Sequence, residues 1–241
     1  MGRYSMMLPN GIIFDLDDTI ISFDAVAIPT WISVCEYFTD GDRIKDSSQL
    51  FDAIEKTRKW FWSDKDRHKA GRLNLDRARE AIVKRALAQL SIDDENLVNL
   101  IVRKYTKKRE ENISFFPKAE VTLHKIKNRD IKLSLITNGE SQKQRAKIDR
   151  FRLDRFFNTI LIEGELGVGK PEEAVYLRAL EEMKIDPQDA WSVGDNIEWD
   201  VIGPQKLGVY AIWNDYRKRG LPRGSTCIPN RIINNISELI E

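Results

Sequence analysis

The chain has 241 residues, 32% of them charged and 41% hydrophobic, with a formal net charge of +1. That composition suits a folded globular protein and excludes a disordered or low-complexity chain. The near-zero total argues against an obligate nucleic-acid binder, yet it hides a split: residues 1–40 carry a net −5, residues 41–113 a net +5 and residues 114–241 a net +1.

No apolar run approaches the ~18 residues needed to span a bilayer, so no membrane partner is expected. The first ten residues, MGRYSMMLPN, lack the apolar stretch of a signal peptide. Met6 stands where an N-myristoylation signal after Gly2 needs Ser or Thr. The two cysteines, Cys35 and Cys227, form neither a CxxC pair nor a disulfide framework. Both are read as reduced thiols, and the expected location is cytoplasmic.

In chain order, the first β-rich apolar run is 11–16, which ends in a cluster of acids. Residues 22–115 hold no strand pattern but several amphipathic helical stretches. One starts at Ser47 or Ser48 and runs through Leu50, Ile54 and Trp60. A second spans 76–90 through Ala78, Ile82, Ala86 and Leu90. A third carries Leu97, Leu100, Ile101 and Tyr105 at helical spacing behind Asp93 and Asp94 as caps. Some 90 residues between two strands is far longer than an ordinary crossover. The reading is a helical domain, 22–115, inserted into an α/β domain made of 1–21 and 116–241, with Phe115-Phe116-Pro117 marking the return. Further strand-like runs follow at 131–136, 159–162, 190–193 and 208–213, with helix formers at 118–130, 140–156, 171–185 and 199–207. Alternating β and α segments with continuous apolar strands imply a Rossmann-like parallel sheet covered by helices on both faces.

Ligands of such sheets bind outside the carboxyl ends of the strands. There the first run delivers Asp15-Leu16-Asp17-Asp18-Thr19 and the second Thr137-Asn138-Gly139. The third leads into a glycine-rich loop reaching Lys170-Pro171, and the fourth delivers Gly194-Asp195-Asn196 with Asp200 beyond. Singly these are weak signs: an Asp-x-Asp pair serves in solvated turns, Asp195 could cap a helix, Thr137 could satisfy backbone, and Lys170 could be a surface charge. Their arrival at successive strand ends points to one site.

In that order the motifs closely resemble those of the haloacid dehalogenase-like hydrolase superfamily, over nearly the whole chain. Phe14-Asp15-Leu16-Asp17-Asp18-Thr19 fits its first motif, Ile136-Thr137-Asn138-Gly139 the second, Gly169-Lys170-Pro171 the third, and Gly194-Asp195-Asn196-Ile197-Glu198-Trp199-Asp200 the fourth. The helical insert stands where the family places its type 1 cap. Thr137-Asn138-Gly139 followed by Gln142 and Gln144 is also similar to sialic-acid 9-phosphate phosphatase-like members.

The resemblance implies a Mg²⁺-dependent phosphomonoester hydrolase acting on a small phosphorylated metabolite through an aspartyl-phosphate intermediate. Asp15 would be the nucleophile. Asp17 points the same way from an extended segment and would be the general acid and base. Crowded carboxylates ionise at a cost that a hard, oxygen-ligated cation relieves. The implied ligands of Mg²⁺ are the Asp15 carboxylate, the Asp17 carbonyl and Asp195. Thr137, Asn138 and Lys170 would hold the phosphate, with Lys170 neutralising charge, and Asp200 and Asn196 would stand behind them. Alternatives on the same fold are a sugar-phosphate mutase, a 2-haloacid dehalogenase and a non-catalytic binding protein. Dehalogenases lack the second acid, which here is Asp17.

Two further stretches also bear on function. Gly164–Lys170 has P-loop spacing, but Pro171 replaces the required Ser or Thr and removes an N–H, so nucleoside triphosphate hydrolysis is not expected. In the insert, residues 59–72 concentrate aromatics and bases. Trp60 and Phe61 are read as helix core, while Arg67, His68 and Arg72 are the candidates to face an anionic substrate. Trp199 and Trp213 are read as packing residues. Hinges are expected at 21–23 and 114–117, and a homodimer is the candidate assembly.

Overall fold

A computed structural model describes residues 8–39 and 44–240, so the readings at Gly2 and Met6 lie outside the described residues. The described strands are β1 (Gly11–Phe14), β2 (Lys132–Thr137), β3 (Thr159–Ile162), β4 (Ala190–Gly194), β5 (Tyr210–Asn214) and β6 (Arg231–Ile233). They form one parallel sheet in the order β3-β2-β1-β4-β5-β6. β1 lies in the middle, with Gly11 to Phe14 opposite Lys132 to Leu135 on one side and Ala190 to Val193 on the other. Every residue of β1 is buried whichever face it points to, so both faces of the sheet are covered. The strand order turns back between β1 and β4, which opens a crevice at their carboxyl ends.

The chain divides into two compact units, Met1–Ser22 with Phe115–Glu241, and Phe23–Ser114. The second unit holds α1 (Ala27–Phe38), α2 (Ser47–Trp62), α3 (Lys65–Arg72), α4 (Leu75–Gln89) and α5 (Glu95–Asn112). The first holds α6 (Ala119–Lys127), α7 (Ser141–Arg150), α8 (Glu163–Leu166), α9 (Glu173–Met183) and α10 (Gly203–Gln205) around the sheet. α9 lays Val175, Tyr176, Ala179, Leu180 and Met183, one helical stripe, against Ile13, Ile136 and Leu161. Where the chain leaves and re-enters the α/β unit, Ile21 pairs with Phe115 and the Phe116 N–H donates to the Ile20 carbonyl at 3.0 Å.

In the helical unit, polar caps start four helices. Asp46 accepts from the Ser48 N–H, Asp64 from Arg67, Asn74 from Arg77 and Asp94 from Leu97. The unit buries its own core around Trp31, Leu50, Ile54, Phe61, Ile82 and Ile101, with Trp31 stacked on Tyr105 at 3.6 Å between ring centroids.

Several sequence readings shift here. Trp60 is 41% exposed and Leu100 55%, so the buried stripes run through Phe61 on α2 and through Val98, Ile101, Val102 and Tyr105 on α5. Two helices are absent from the sequence reading: α1, which begins without a side-chain cap although its buried Ala27, Thr30, Trp31, Val34 and Cys35 recur at helical spacing, and α3, which is polar nearly all round. The segment expected as helix from 199 is a π-helical turn, Ile197–Ile202, followed by α10. β6 is three residues long, too short for a periodic pattern.

Candidate active site

The Asp15 N–H extends the β1–β4 ladder to the Val193 carbonyl at 2.9 Å, and Asp15 then projects from the crevice end of the central strand. The chain next folds back tightly: Asp18 adopts φ 62°, its N–H donates to Ile21 at 2.7 Å, and Ile20 and Ile21 donate to the Leu16 carbonyl. The turn leaves Asp17 half-buried, and its backbone pairs with Ile21.

Lys170 is the central cation. It is 2% exposed, and its Nζ donates to Asp15 Oδ1 at 2.7 Å and Asp200 Oδ1 at 2.6 Å. Asn138 grips the lysine's backbone from both sides, accepting from the Lys170 N–H at 2.8 Å and donating to its carbonyl at 2.7 Å. The Asn138 amide therefore places Lys170. The second oxygen of Asp200 accepts from the Asn196 N–H at 3.0 Å, and the Asn196 side chain caps Trp199. Tyr176 donates to the Trp199 carbonyl and pins the π-helical turn. Gly194 is needed for this approach, because a Cβ there would sit 2.1 Å from Asp200 Cγ. Trp213 packs, as expected, and its indole N–H also holds the Asp195 carbonyl at 2.8 Å.

A second network comes from α7. Lys147 Nζ donates to both oxygens of Asp17, at 2.8 and 2.7 Å. Gln144 Nε2 donates to Asp17 Oδ2 at 3.1 Å, to the Asn138 carbonyl at 3.2 Å and to Thr137 Oγ1. Lys147 belongs to none of the four motifs, and sequence reasoning missed it. Its signal was positional: Gln144 and Lys147 are one turn apart, on the stripe of α7 that also buries Ile148. The P-loop-like stretch begins in the short α8 and leaves it after Leu166, and its Glu165 is paired with Arg145 at 2.6 Å.

Carboxylate oxygens of Asp15, Asp195 and Asp200 lie within 4.8 Å of one another. Asp15 Oδ2 is buried with no hydrogen-bond partner. Both oxygens of Asp200 already accept hydrogen bonds, so Asp15 and Asp195 are the side chains left for a cation. A hard divalent ion fits that orphaned oxygen and that all-oxygen donor set. Burial pushes the Asp15 carboxyl up to about 7; Lys170 opposes the rise, and Asp200 and Asp17 add to it. Burial, followed by repulsion from Asp15, Asp200 and Asp18, holds Asp195 well above the usual range. Burial disfavours the Lys170 ammonium, but Asp15 and Asp200 outweigh it and raise the lysine's pKa.

In the helical unit, Arg67, His68 and Arg72 share α3. The Arg67 guanidinium donates to the Trp60 and Phe61 carbonyls at 2.8 and 3.4 Å and stacks 4.1 Å from the Trp60 ring centroid. The His68 ring meets the edge of Trp62, and Arg72 Nη1 lies 3.4 Å from His68 Nδ1. Of the three, Arg67 is thus tied to the carboxyl end of α2.

Residues 12–214 match the haloacid dehalogenase-like hydrolases. The chain belongs to this family. It is 32% identical to a phosphoserine phosphatase of Thermus thermophilus over 162 residues, 67% of this chain and 63% of that protein. It is 30% identical to N-acylneuraminate-9-phosphatase of Rattus norvegicus over 112 residues, 46% of this chain and 45% of that protein. The matched stretches therefore span less than two thirds of these relatives' own lengths. In fold it is similar to YfnB of Bacillus subtilis, solved bound to magnesium, with a TM-score of 0.74 at 20% identity over 97% of both chains. No described helix is long and apolar enough to cross a membrane.

Proposed function

We propose that this hydrolase cleaves small phosphomonoesters in a Mg²⁺-dependent reaction that passes through an aspartyl phosphate on Asp15. The observation that carries the reading is the buried chain Asp15–Lys170–Asp200, with one Asp15 oxygen bonded to Lys170 and the other left without a partner. The named activities of the relatives support it.

Mg²⁺ would be held by the Asp15 and Asp195 carboxylates and the Asp17 carbonyl, and would offset negative charge among these acids and the phosphate. Asp15 attacks phosphorus; the bond to the ester oxygen breaks, and Asp17 protonates the departing alcohol. Asp17 then takes a proton from the water that attacks the phosphoryl group, and the Asp15–phosphorus bond breaks to give free phosphate. Lys170 neutralises charge on nucleophile and phosphate, Thr137 donates to a phosphate oxygen, and Asn138, Asn196 and Asp200 fix these groups in place. The helical unit is assigned the role of cap, with His68 and Arg72 as its candidate substrate contacts. The cytoplasm is the proposed location.

A panel of sugar phosphates, nucleotides, phosphoglycolate and p-nitrophenyl phosphate tests the reading, with phosphate release measured with and without Mg²⁺. Release that requires Mg²⁺ is expected. Halide release from 2-haloacids, or exchange between phosphorylated positions without free phosphate, would overturn it in favour of a dehalogenase or a mutase.

A further inference from the structure

We propose that Lys147 is a positioning residue for Asp17, fixing the carboxylate where its proton reaches the departing oxygen. The proposal rests on the phosphoester reading above. In the first step the bond between Asp15 oxygen and phosphorus forms while that between phosphorus and ester oxygen breaks. The released electron pair stays on the ester oxygen, which takes the proton of Asp17 in its acid form and leaves the ionised carboxylate that Lys147 pairs with on both oxygens. A general acid acts only within hydrogen-bond reach of its target, so its orientation limits the step.

Three observations place that control on α7. Lys147 Nζ spans both Asp17 oxygens at 2.8 and 2.7 Å, which fixes the plane of the carboxylate as a single contact could not. Lys147 is nine-tenths buried, so water does not screen the pair as it would at the surface. Gln144, one turn earlier, donates to the same carboxylate and to Thr137 and the Asn138 carbonyl. α7 thereby ties the acid to the loop that would hold the phosphate. A buried ion pair is weak evidence of a stabilising role, because desolvation offsets its attraction. Its geometry against Asp17 is what the structure favours.

The test compares kcat/KM, which reports events through phosphoryl transfer, for two esters with Mg²⁺ present. A simple alkyl phosphate needs a proton on its leaving group, and p-nitrophenyl phosphate does not. Lys147→Met should lower kcat/KM for the alkyl ester about 10- to 100-fold and leave the aryl ester within about threefold, as expected for a misplaced catalytic group. Lys147→Arg, whose fork can span both oxygens, should restore most of the loss. In an Asp17→Asn background, Lys147→Met should cost nothing further on the alkyl ester. Lys147→Gln carries the same comparison if the Met variant does not fold. Equal losses on the two esters, or additive losses in the double variant, would overturn the proposal and make Lys147 a structural tie. Wild-type protein that cleaves neither ester would instead remove the phosphoester reading itself.

Discussion

In the α/β unit the paired charged side chains of the site are buried or half-buried and bonded to one another: Lys170 between Asp15 and Asp200, and Lys147 against Asp17. In the helical unit charge mostly stays in solvent. Lys84 and Glu95 pair with side chains 61% and 63% exposed, Lys59 is 76% exposed beside Glu55, and Arg67 is one-third exposed. Among the described residues Arg79 and Arg109 are the buried exceptions, packed over Tyr105. Exposed pairs contribute little and are screened, whereas burying acids beside a lysine costs desolvation. Such an arrangement is retained where it serves chemistry, and on that physical ground the acidic strand ends, more than the basic insert, mark the place where the reaction would occur.

The sharpest way to break this contrast is Asp17→Asn, which should lower turnover of a phosphomonoester by about 10² to 10⁴-fold, the usual contribution of a general acid–base group. Steady-state kinetics with an alkyl phosphate would register it, and retained turnover would place the acid elsewhere. Next comes Gly194→Ala. The added methyl group would meet Asp200 Cγ at 2.1 Å and push its carboxylate off Lys170. Thermal melts should show about 1–3 kcal/mol of lost stability, as for an overpacked core, together with lost activity.

A gentler effect follows from the crowded acids. Between the ordinary carboxylate pKa and about 7, folded protein keeps a proton on Asp15 that unfolded chain has released. Metal-free stability from this group is therefore present at low pH and is lost as pH rises through about 7. Mg²⁺ relieves the same repulsion, so the rise in Tm on adding it should be larger at about pH 8 than at about pH 5. Equal shifts at both pH values would mean that the acids do not bind the ion. The smallest change is expected in the helical unit, where Lys59→Ala, at a side chain 76% exposed, should alter stability by no more than about 0.5 kcal/mol in chemical denaturation.

The same contrast explains what could be read from the sequence. β1, β2, β3, β4 and β5 are mostly apolar runs at or near their observed places, because strands buried on both faces admit few polar residues, here Ser134 in β2 and Ser192 in β4. The motifs ending at Asp15, Thr137, Lys170 and Asp195 stand at those strand ends, where chain order alone brings them together. Lys147 does not: its partner Asp17 is 130 residues away, and only the docking of α7 makes them neighbours. In the same way Asn138 reads as a phosphate contact until the fold shows its amide spent on the Lys170 backbone. In the helical unit, short polar α3 carries no apolar stripe, α1 has one but no side-chain cap to mark its start, and neighbouring aromatics such as Trp60 and Phe61 divide between solvent and core by about 100° of helix rotation.

The central claim is that Asp15 forms a covalent bond to phosphorus. Wild-type protein mixed with radiolabelled phosphomonoester and Mg²⁺, then acid-quenched within one turnover, should carry label on the peptide containing Asp15. Asp15→Asn should carry none and release no phosphate. Unimpaired phosphate release by Asp15→Asn, or label found on another residue, would contradict the account.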